Sequence, residues 1–190
     1  MPNIYTRTGD GGETGLCGGR RVRKDDPCLE VIGALDELNA MVGVVRVELG
    51  RLESAPTDLG QFCERVQHQL FNLGAELATA QPEQTSGSLT LIQDADVAAL
   101  EQAIDRWDVC LEPLREFILP GGCPPAAQLH LARCVCRRAE RLLVRLSTGE
   151  RTIRGEVLRY INRLSDALFV AARLANRAAG TTDVKWRPDL

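Results

Sequence analysis

The stretch HLARCVCRRAERLLVRL, residues 130–146, decides how the chain folds and where its chemistry can lie. At about 100° per residue, Ala132, Cys136, Ala139, Leu143 and Leu146 fall in one apolar stripe, which predicts a helix packed against a core. Five arginines share that helix. Arg133, Arg137 and Arg141, spaced i, i+4, i+8, run down one flank with Glu140, while Arg138 and Arg145 take the far side. A structural helix more usually mixes signs for i,i+4 pairing. One carboxylate among five guanidiniums points instead to a polyanion, most simply a phosphate chain, which a planar guanidinium grips through two parallel hydrogen bonds. The helix alone leaves the other reading open, in which these arginines are solvated or paired with acids on neighbouring helices.

The 190 residues hold no Ser/Gly or Pro linker and read as one domain, 1–190, made of a glycine-rich segment 1–26, a helical bundle 27–180 and an irregular tail 181–190. The net charge of −3 argues against a bulk nucleic-acid binder, so an anion site must be local. Seven cysteines, an odd set without a CxxC pair, indicate neither a disulfide framework nor a zinc site. Buried free thiols in a reducing cytoplasm are the simpler account. No apolar run reaches membrane-spanning length and MPNIYTRTGD has no signal-peptide core, which predicts a soluble, cytoplasmic protein.

Residues 1–26 crowd Gly9, Gly11, Gly12, Gly15, Gly18 and Gly19 among Thr6, Thr8, Thr14 and Asp10 and are expected to form a loop. Glycines let backbone N–H groups converge on an anion, threonine hydroxyls add donors, and Arg20, Arg21, Arg23 and Lys24 follow with cations. The spacing matches neither a Walker A loop nor GxGxxG. Asp26 and Pro27 supply an N-cap and a first-turn proline for a helix over 28–49, with Val31, Leu35, Leu38, Val42 and Val45 inward. Asp36, near the edge of that face in LDELN, is a candidate partner for an arginine on another helix. A second helix over 58–79 carries Leu59, Phe62, Val66, Leu70, Leu73 and Leu77. A loop is expected over 80–93, then a helix from Asp94 to near Pro113 through Val97, Leu100, Ile104 and Trp107. Phe117–Gly122, FILPGG, reads as a buried connector or as half of a pocket for a ligand with greasy and charged ends. A last helix over 156–178 packs Ile161, Ser165, Leu168, Ala172 and Ala175, with Asn162, Asp166, Phe169 and Arg173 on the flank that could face the arginine row. His68 and His130 read as surface or satisfied histidines, since the rest of a carboxylate–histidine metal site is missing.

YTRTGDGGETG at 5–15, FILPGG followed by ARCVCRRAER at 117–122 and 132–141, and YINRLSDALFVAAR at 160–173 together resemble the PduO-type ATP:cob(I)alamin adenosyltransferases, in order and spacing over most of the chain. The resemblance implies an all-α, five-helix bundle with a glycine-rich N-terminal loop, assembled as a homotrimer with each active site between two subunits. It implies that cob(I)alamin attacks the 5′ carbon of ATP, giving adenosylcobalamin and triphosphate. Cobalt is then the nucleophile, and the protein's tasks are positioning and stabilising the leaving group. ATP and cob(I)alamin are the substrates it implies, with magnesium carried mainly by the ATP phosphates and near Glu140. A cobalamin reductase and an adenosylcobalamin-dependent acceptor enzyme are implied partners.

By the same resemblance, Thr6, Arg7, Thr8, Gly9, Thr14, Gly15 and Lys24 match the phosphate-gripping loop. Arg137, Arg138, Arg141 and Asn162 match ATP-binding positions, and Glu140 lies near the nucleotide and its magnesium. Arg133 matches an arginine that pairs with an aspartate, here Asp36. Phe117 is similar to the aromatic residue that crowds the lower face of the corrin and excludes an axial ligand. Gly11 stands where many members carry lysine, which removes one cation from the loop unless Arg7 or Arg20 replaces it. Two other readings of the arginine row are a nucleotide-sensing or nucleic-acid module, disfavoured by acidic charge and few aromatics for base stacking, and a structural oligomer using the arginines only in interface ion pairs.

Overall fold

The computed structural model describes residues 4–79, 89–149 and 151–189. Among them are five helices, α1 Pro27–Leu49, α2 Thr57–Ala78, α3 Asp94–Asp108, α4 Pro124–Ser147 and α5 Gly155–Ala178, and one hairpin of β1 Glu13–Gly15 and β2 Arg21–Arg23. The loop expected over 80–93 is described only from residue 89; the rest of it lies outside the described residues.

Each helix begins and ends for local reasons. The Asp26 carboxylate caps α1 by accepting from the Cys28 N–H at 2.8 Å, with Pro27 in the first turn. The expected run of the third helix to Pro113 is too long. Beyond Asp108 the chain makes i,i+3 turns, Cys110 N–H to Trp107 O and Leu111 N–H to Asp108 O, just before a proline that has no N–H to give.

The apolar stripes read from the sequence are the core. Val31, Leu38 and Val42 of α1, Leu59, Val66 and Leu73 of α2, Ala132, Cys136, Ala139 and Leu143 of α4, and Ile161, Leu168 and Ala172 of α5 are all buried in one cluster. The helices pack in the order α2, α1, α4, α5, α3. Side chains close the ring between α3 and α2: Phe62 meets the Trp107 ring edge-on at 5.0 Å, and the Trp107 indole N–H donates to Asp58 at 2.6 Å. The fully buried Tyr160 hydroxyl donates to Gln69 Oε1 at 2.9 Å, and burial pushes its pKa well up, so it stays a neutral donor. Burial likewise raises the Cys63 thiol to about 12. Cys28, Cys63, Cys123 and Cys136 are buried as expected, but Cys17, Cys110 and Cys134 are exposed, so burial accounts for only part of the cysteine set.

At one end of the bundle, Glu76 of α2 is buried and accepts from Arg154 Nε at 2.8 Å and Nη2 at 3.1 Å, while Arg154 Nη2 also donates to Ile92 O at 2.6 Å. This ion pair joins the end of α2, the approach to α3 and the start of α5. Removing one partner of a buried pair strands the other charge in a dry site. Glu76→Ala is therefore expected to cost about 3 kcal/mol, seen as a lower urea midpoint at unchanged slope; a loss within experimental error would show that the pair is not a stability element.

Candidate functional site

The glycine-rich segment is more ordered than a plain loop. Its hairpin pairs Glu13 with Arg23, Thr14 with Val22 and Gly15 with Arg21. The turn between the strands uses Gly18 and Gly19 at φ near +90° and +84°, a conformation that strongly favours glycine. Before β1, Arg7 sits at φ 60° with its guanidinium 5.4 Å from the Tyr5 ring centroid, the Thr6 and Thr8 hydroxyls bond each other at 2.8 Å, and Arg21 donates to Thr8 O at 2.8 Å. A Cβ on Gly9 would come within 3.3 Å of the Lys24 ammonium nitrogen, so this glycine lets the ammonium lie against the backbone. Thr6, Thr8, Gly9 and Lys24 are thus gathered on one turn. The hairpin is fastened to the C-terminal end of α2 by Cys17 N–H to Ala78 O at 3.1 Å.

The antiparallel seam of α4 and α5 carries the second group. Asn162 Nδ2 donates to Glu140 Oε1 at 2.8 Å, joining the RRAER and NRLSD motifs. Arg137 and Arg141 are exposed beside that contact. Among the described residues neither has a carboxylate within 4 Å, whereas Arg138 is ion-paired with Glu37 of α1. The α5 flank meets the arginine helix at only some of the expected points. Asp166 turns to Arg163 at 3.0 Å, and Arg173 is buried with its Nε 3.0 Å from Asp183.

Arg133 and Asp36 do not meet within the chain. Asp36 is exposed on α1, and the Arg133 Nε is buried without a hydrogen-bond partner among the described residues, while its Nη2 lies 3.7 Å from Cys134 Sγ. One turn earlier on α4, His130 is buried rather than on the surface, and neither ring nitrogen has a partner among the described residues. Its ring is edge-on to Phe169 at 5.9 Å. Burial lowers its pKa, the Arg133 cation lowers it further, and the Asp183 carboxylate acts the other way. The expectation of a surface or satisfied histidine fails because the α4 and α5 apolar surfaces close over the ring.

At the opposite end of the bundle from the hairpin, Phe117 is 79% exposed, so the FILPGG stretch is not a buried connector at this residue. The tail expected to be irregular pairs with it: Leu119 N–H to Val184 O at 2.8 Å, Trp186 N–H to Phe117 O at 2.7 Å, and an antiparallel bridge of Ile118 with Lys185. The Trp186 ring packs edge-on against Phe117 at 6.3 Å. Ile118 and Lys185 line a cavity of about 770 Å³ with Arg173 and Asp183. Trp186 and Asp183 went unnoticed in the sequence, where a lone tryptophan in DVKWRPDL was the available signal.

A family model described as cobalamin adenosyltransferase matches residues 4–175, a span that takes in the hairpin, both seam motifs and Phe117. The chain belongs to the cobalamin adenosyltransferase family. It is 43% identical over 187 residues to a cobalamin adenosyltransferase of Cupriavidus metallidurans, covering 98% of this chain and 95% of that one. It is also 43% identical to the corrinoid adenosyltransferase of Bacillus subtilis, over 96% and 91% of the two chains. Among solved structures, it superposes with TM-score 0.89 and 37% identity on a phenylalanine-to-alanine variant of the PduO-type ATP:corrinoid adenosyltransferase from Lactobacillus reuteri complexed with cobalamin and ATP, over 97% and 99% of the chains.

In this member of the family the residues singled out from the sequence therefore occupy three places. Thr6, Arg7, Thr8, Gly9, Thr14, Gly15 and Lys24 lie in or beside the hairpin; Arg133, Arg137, Glu140, Arg141 and Asn162 lie along the seam; Phe117 stands at the far end. Gly11 faces open space, and a Cβ there would meet nothing within 4 Å. Among the described residues no group of three or more His, Cys, Asp or Glu side chains could hold a metal, and no helix is long and apolar enough to cross a membrane.

His130 gives a pH test of this seam. A histidine with a depressed folded pKa is protonated first in the unfolded chain, so stability is intact above about pH 6.5 and declines below it, with a slope of at most about 1.4 kcal/mol per pH unit. Urea midpoints measured from pH 7.5 to 5.5 are expected to fall more steeply for the wild type than for His130→Leu. Parallel curves would rule out a buried neutral imidazole.

Proposed function

We propose that the chain transfers the 5′-deoxyadenosyl group of ATP to the cobalt of cob(I)alamin. The observation that carries this reading is the Glu140–Asn162 contact flanked by two arginines without carboxylate partners among the described residues, in a chain of the cobalamin adenosyltransferase family. Cobalt(I) supplies the electron pair for the new Co–C5′ bond as the C5′–O bond breaks, and the departing pair stays on the triphosphate oxygen. The chain supplies no nucleophile. Arg137 and Arg141 offset the charge that gathers on the leaving group, and Thr6, Thr8, Gly9 and Lys24 hold the phosphate chain by hydroxyl, backbone and ammonium donors. Arg7, Thr14 and Gly15 complete that grip, and Arg138, ion-paired with Glu37 in the chain, is the further ATP-binding position on this helix.

Magnesium fits this donor set as a passenger of the nucleotide. It favours one or two carboxylates plus phosphate oxygens, and Glu140 engages Asn162 through Oε1 alone. When bound, it would neutralise phosphate charge.

Displacement needs reacting atoms about 3–3.5 Å apart, so the phosphate grip and the support beneath the corrin must be neighbours. Within one subunit the hairpin and Phe117 occupy opposite ends of helices that are 22–24 residues long, on the order of 30 Å. A homotrimer resolves this if the hairpin of one subunit faces the α4/α5 seam of the next. Arg133 and Asp36, unpaired with each other in the chain, then meet across the same boundary. Phe117 would crowd the lower corrin face and exclude an axial ligand, which eases reduction of cobalt to its nucleophilic state. A reductase delivering cob(I)alamin and an acceptor enzyme for the product complete the setting.

Mixing the protein with ATP and chemically reduced cobalamin is expected to give the absorbance spectrum of light-sensitive adenosylcobalamin together with triphosphate; no product under strong reductant would overturn the assignment. Arg137→Lys keeps the charge and loses the planar fork. If the bond strengthens in the transition state, at roughly 1.5–3 kcal/mol for a charge-assisted bond, catalytic efficiency falls about tenfold to a hundredfold. An assembled, fully active lysine variant would remove the clamp role.

A further inference from the structure

Phe117 lies on a loop, has most of its ring in solvent, and yet must hold one position to act on a corrin. What fixes it is a buried polar lock that none of its own side-chain contacts explains. Arg173 and Asn176 of α5 are 5% and 2% exposed. Arg173 Nε donates to Asp183 Oδ2 at 3.0 Å, and Asn176 Nδ2 donates to Asp183 Oδ1 at 3.0 Å, so both carboxylate oxygens are engaged by the same helix. Arg173 Nη2 also donates to Glu112 O at 2.6 Å.

Asn176 reaches the other end of the Phe117 loop as well. Its Nδ2 donates to Gly121 O at 3.1 Å, and its Oδ1 accepts from Cys123 N–H at 2.9 Å. Gly122, between them, has φ +109°, and any Cβ there would overlap the Asn176 amide. One residue past Asp183 the tail begins its pairing with 117–119. The loop is therefore pinned at both ends to α5, through Asn176 directly and through Asp183 by way of the tail.

We propose that Asp183 is a positioning residue for Phe117: its carboxylate, held by Arg173 and Asn176, sets the tail against which the Phe117 backbone and ring are registered. The inference rests on the reading that Phe117 crowds the corrin. It makes Asp183, Asn176 and Gly122 determinants of cobalt coordination without contact with the substrate.

The test uses the full-length protein with ATP and cob(II)alamin. In Asp183→Asn an amide NH₂ replaces one accepting oxygen, and the charge that draws two donors is gone. Losing charge-assisted hydrogen bonds of this kind is expected to raise hydrogen exchange at the Leu119 and Trp186 amides by about tenfold or more. The four-coordinate cob(II)alamin signal in electron paramagnetic resonance should fall several-fold, while KM for ATP stays within about twofold of wild type. Asp183→Glu, which keeps the charge, should recover part of the signal, and Asp183→Asn should add nothing to Phe117→Ala. If Phe117→Ala itself leaves the signal unchanged, the reading of Phe117 fails. If Phe117→Ala removes it while a folded Asp183→Asn retains it, or if the two losses add, the positioning role of Asp183 is overturned. Should Asp183→Asn not fold, Asp183→Glu carries the same comparison, with a wild-type signal alongside faster Leu119 exchange counting against the proposal.

Discussion

The antiparallel packing of α4 on α5 is the constraint on which the rest of the site depends. Along this seam Asn176 meets the Cys123 N–H at one end, His130 meets Phe169 in the middle, and Glu140 meets Asn162 towards the other end. With a rise of 1.5 Å per residue, the 14 positions from Asn162 to Asn176 separate the two end contacts by roughly 20 Å. Small residues of both helices also lie in the core. Ala132, Ala139, Ala167, Ala171 and Ala175 are all fully buried, and the Cys136 thiol reaches Ile161 O at 3.4 Å. A larger residue at any of these positions would overpack the core.

Charge follows the same division. The chain is acidic overall, yet among the described residues its arginine helix pairs one guanidinium with a neighbouring helix, through Arg138 and Glu37. Arg137 and Arg141 are left exposed on a flank where solvent screens them. Their positive potential is local, consistent with a small polyanion and poorly suited to the long phosphate backbone of a nucleic acid.

Helical periodicity made most of the fold readable, because an apolar stripe repeated over four or more turns has one stable solution. Asp26 and Pro27 marked their helix start for the same local reasons that the structure realises. The hairpin was not readable: three-residue strands carry too little alternation, and six nearby glycines say only that the backbone is free to turn. The pairing of residues 117–119 with 184–186 depends on contacts distant in sequence, which no local pattern announces. Arg137, Glu140 and Asn162 could be picked out because their motifs lie on long helices. The contacts of Asp183 could not, since they come from two donors on another element. The burial of His130 was not readable because a buried imidazole leaves the same periodic trace as an apolar side chain.

The short ladder between Phe117 and Trp186 also bears on the order of folding. Its two strands are separated in sequence by the whole of α4 and α5. Closing so long a segment before those helices dock would cost chain entropy with only a few hydrogen bonds in return. Helix docking must come first, bringing the two strands within reach. The aromatic pair is therefore expected to form late, after the helices have docked. With Trp107 replaced by phenylalanine, Trp186 fluorescence would then follow the pairing of the tail, separately from the far-ultraviolet dichroism that follows the helices.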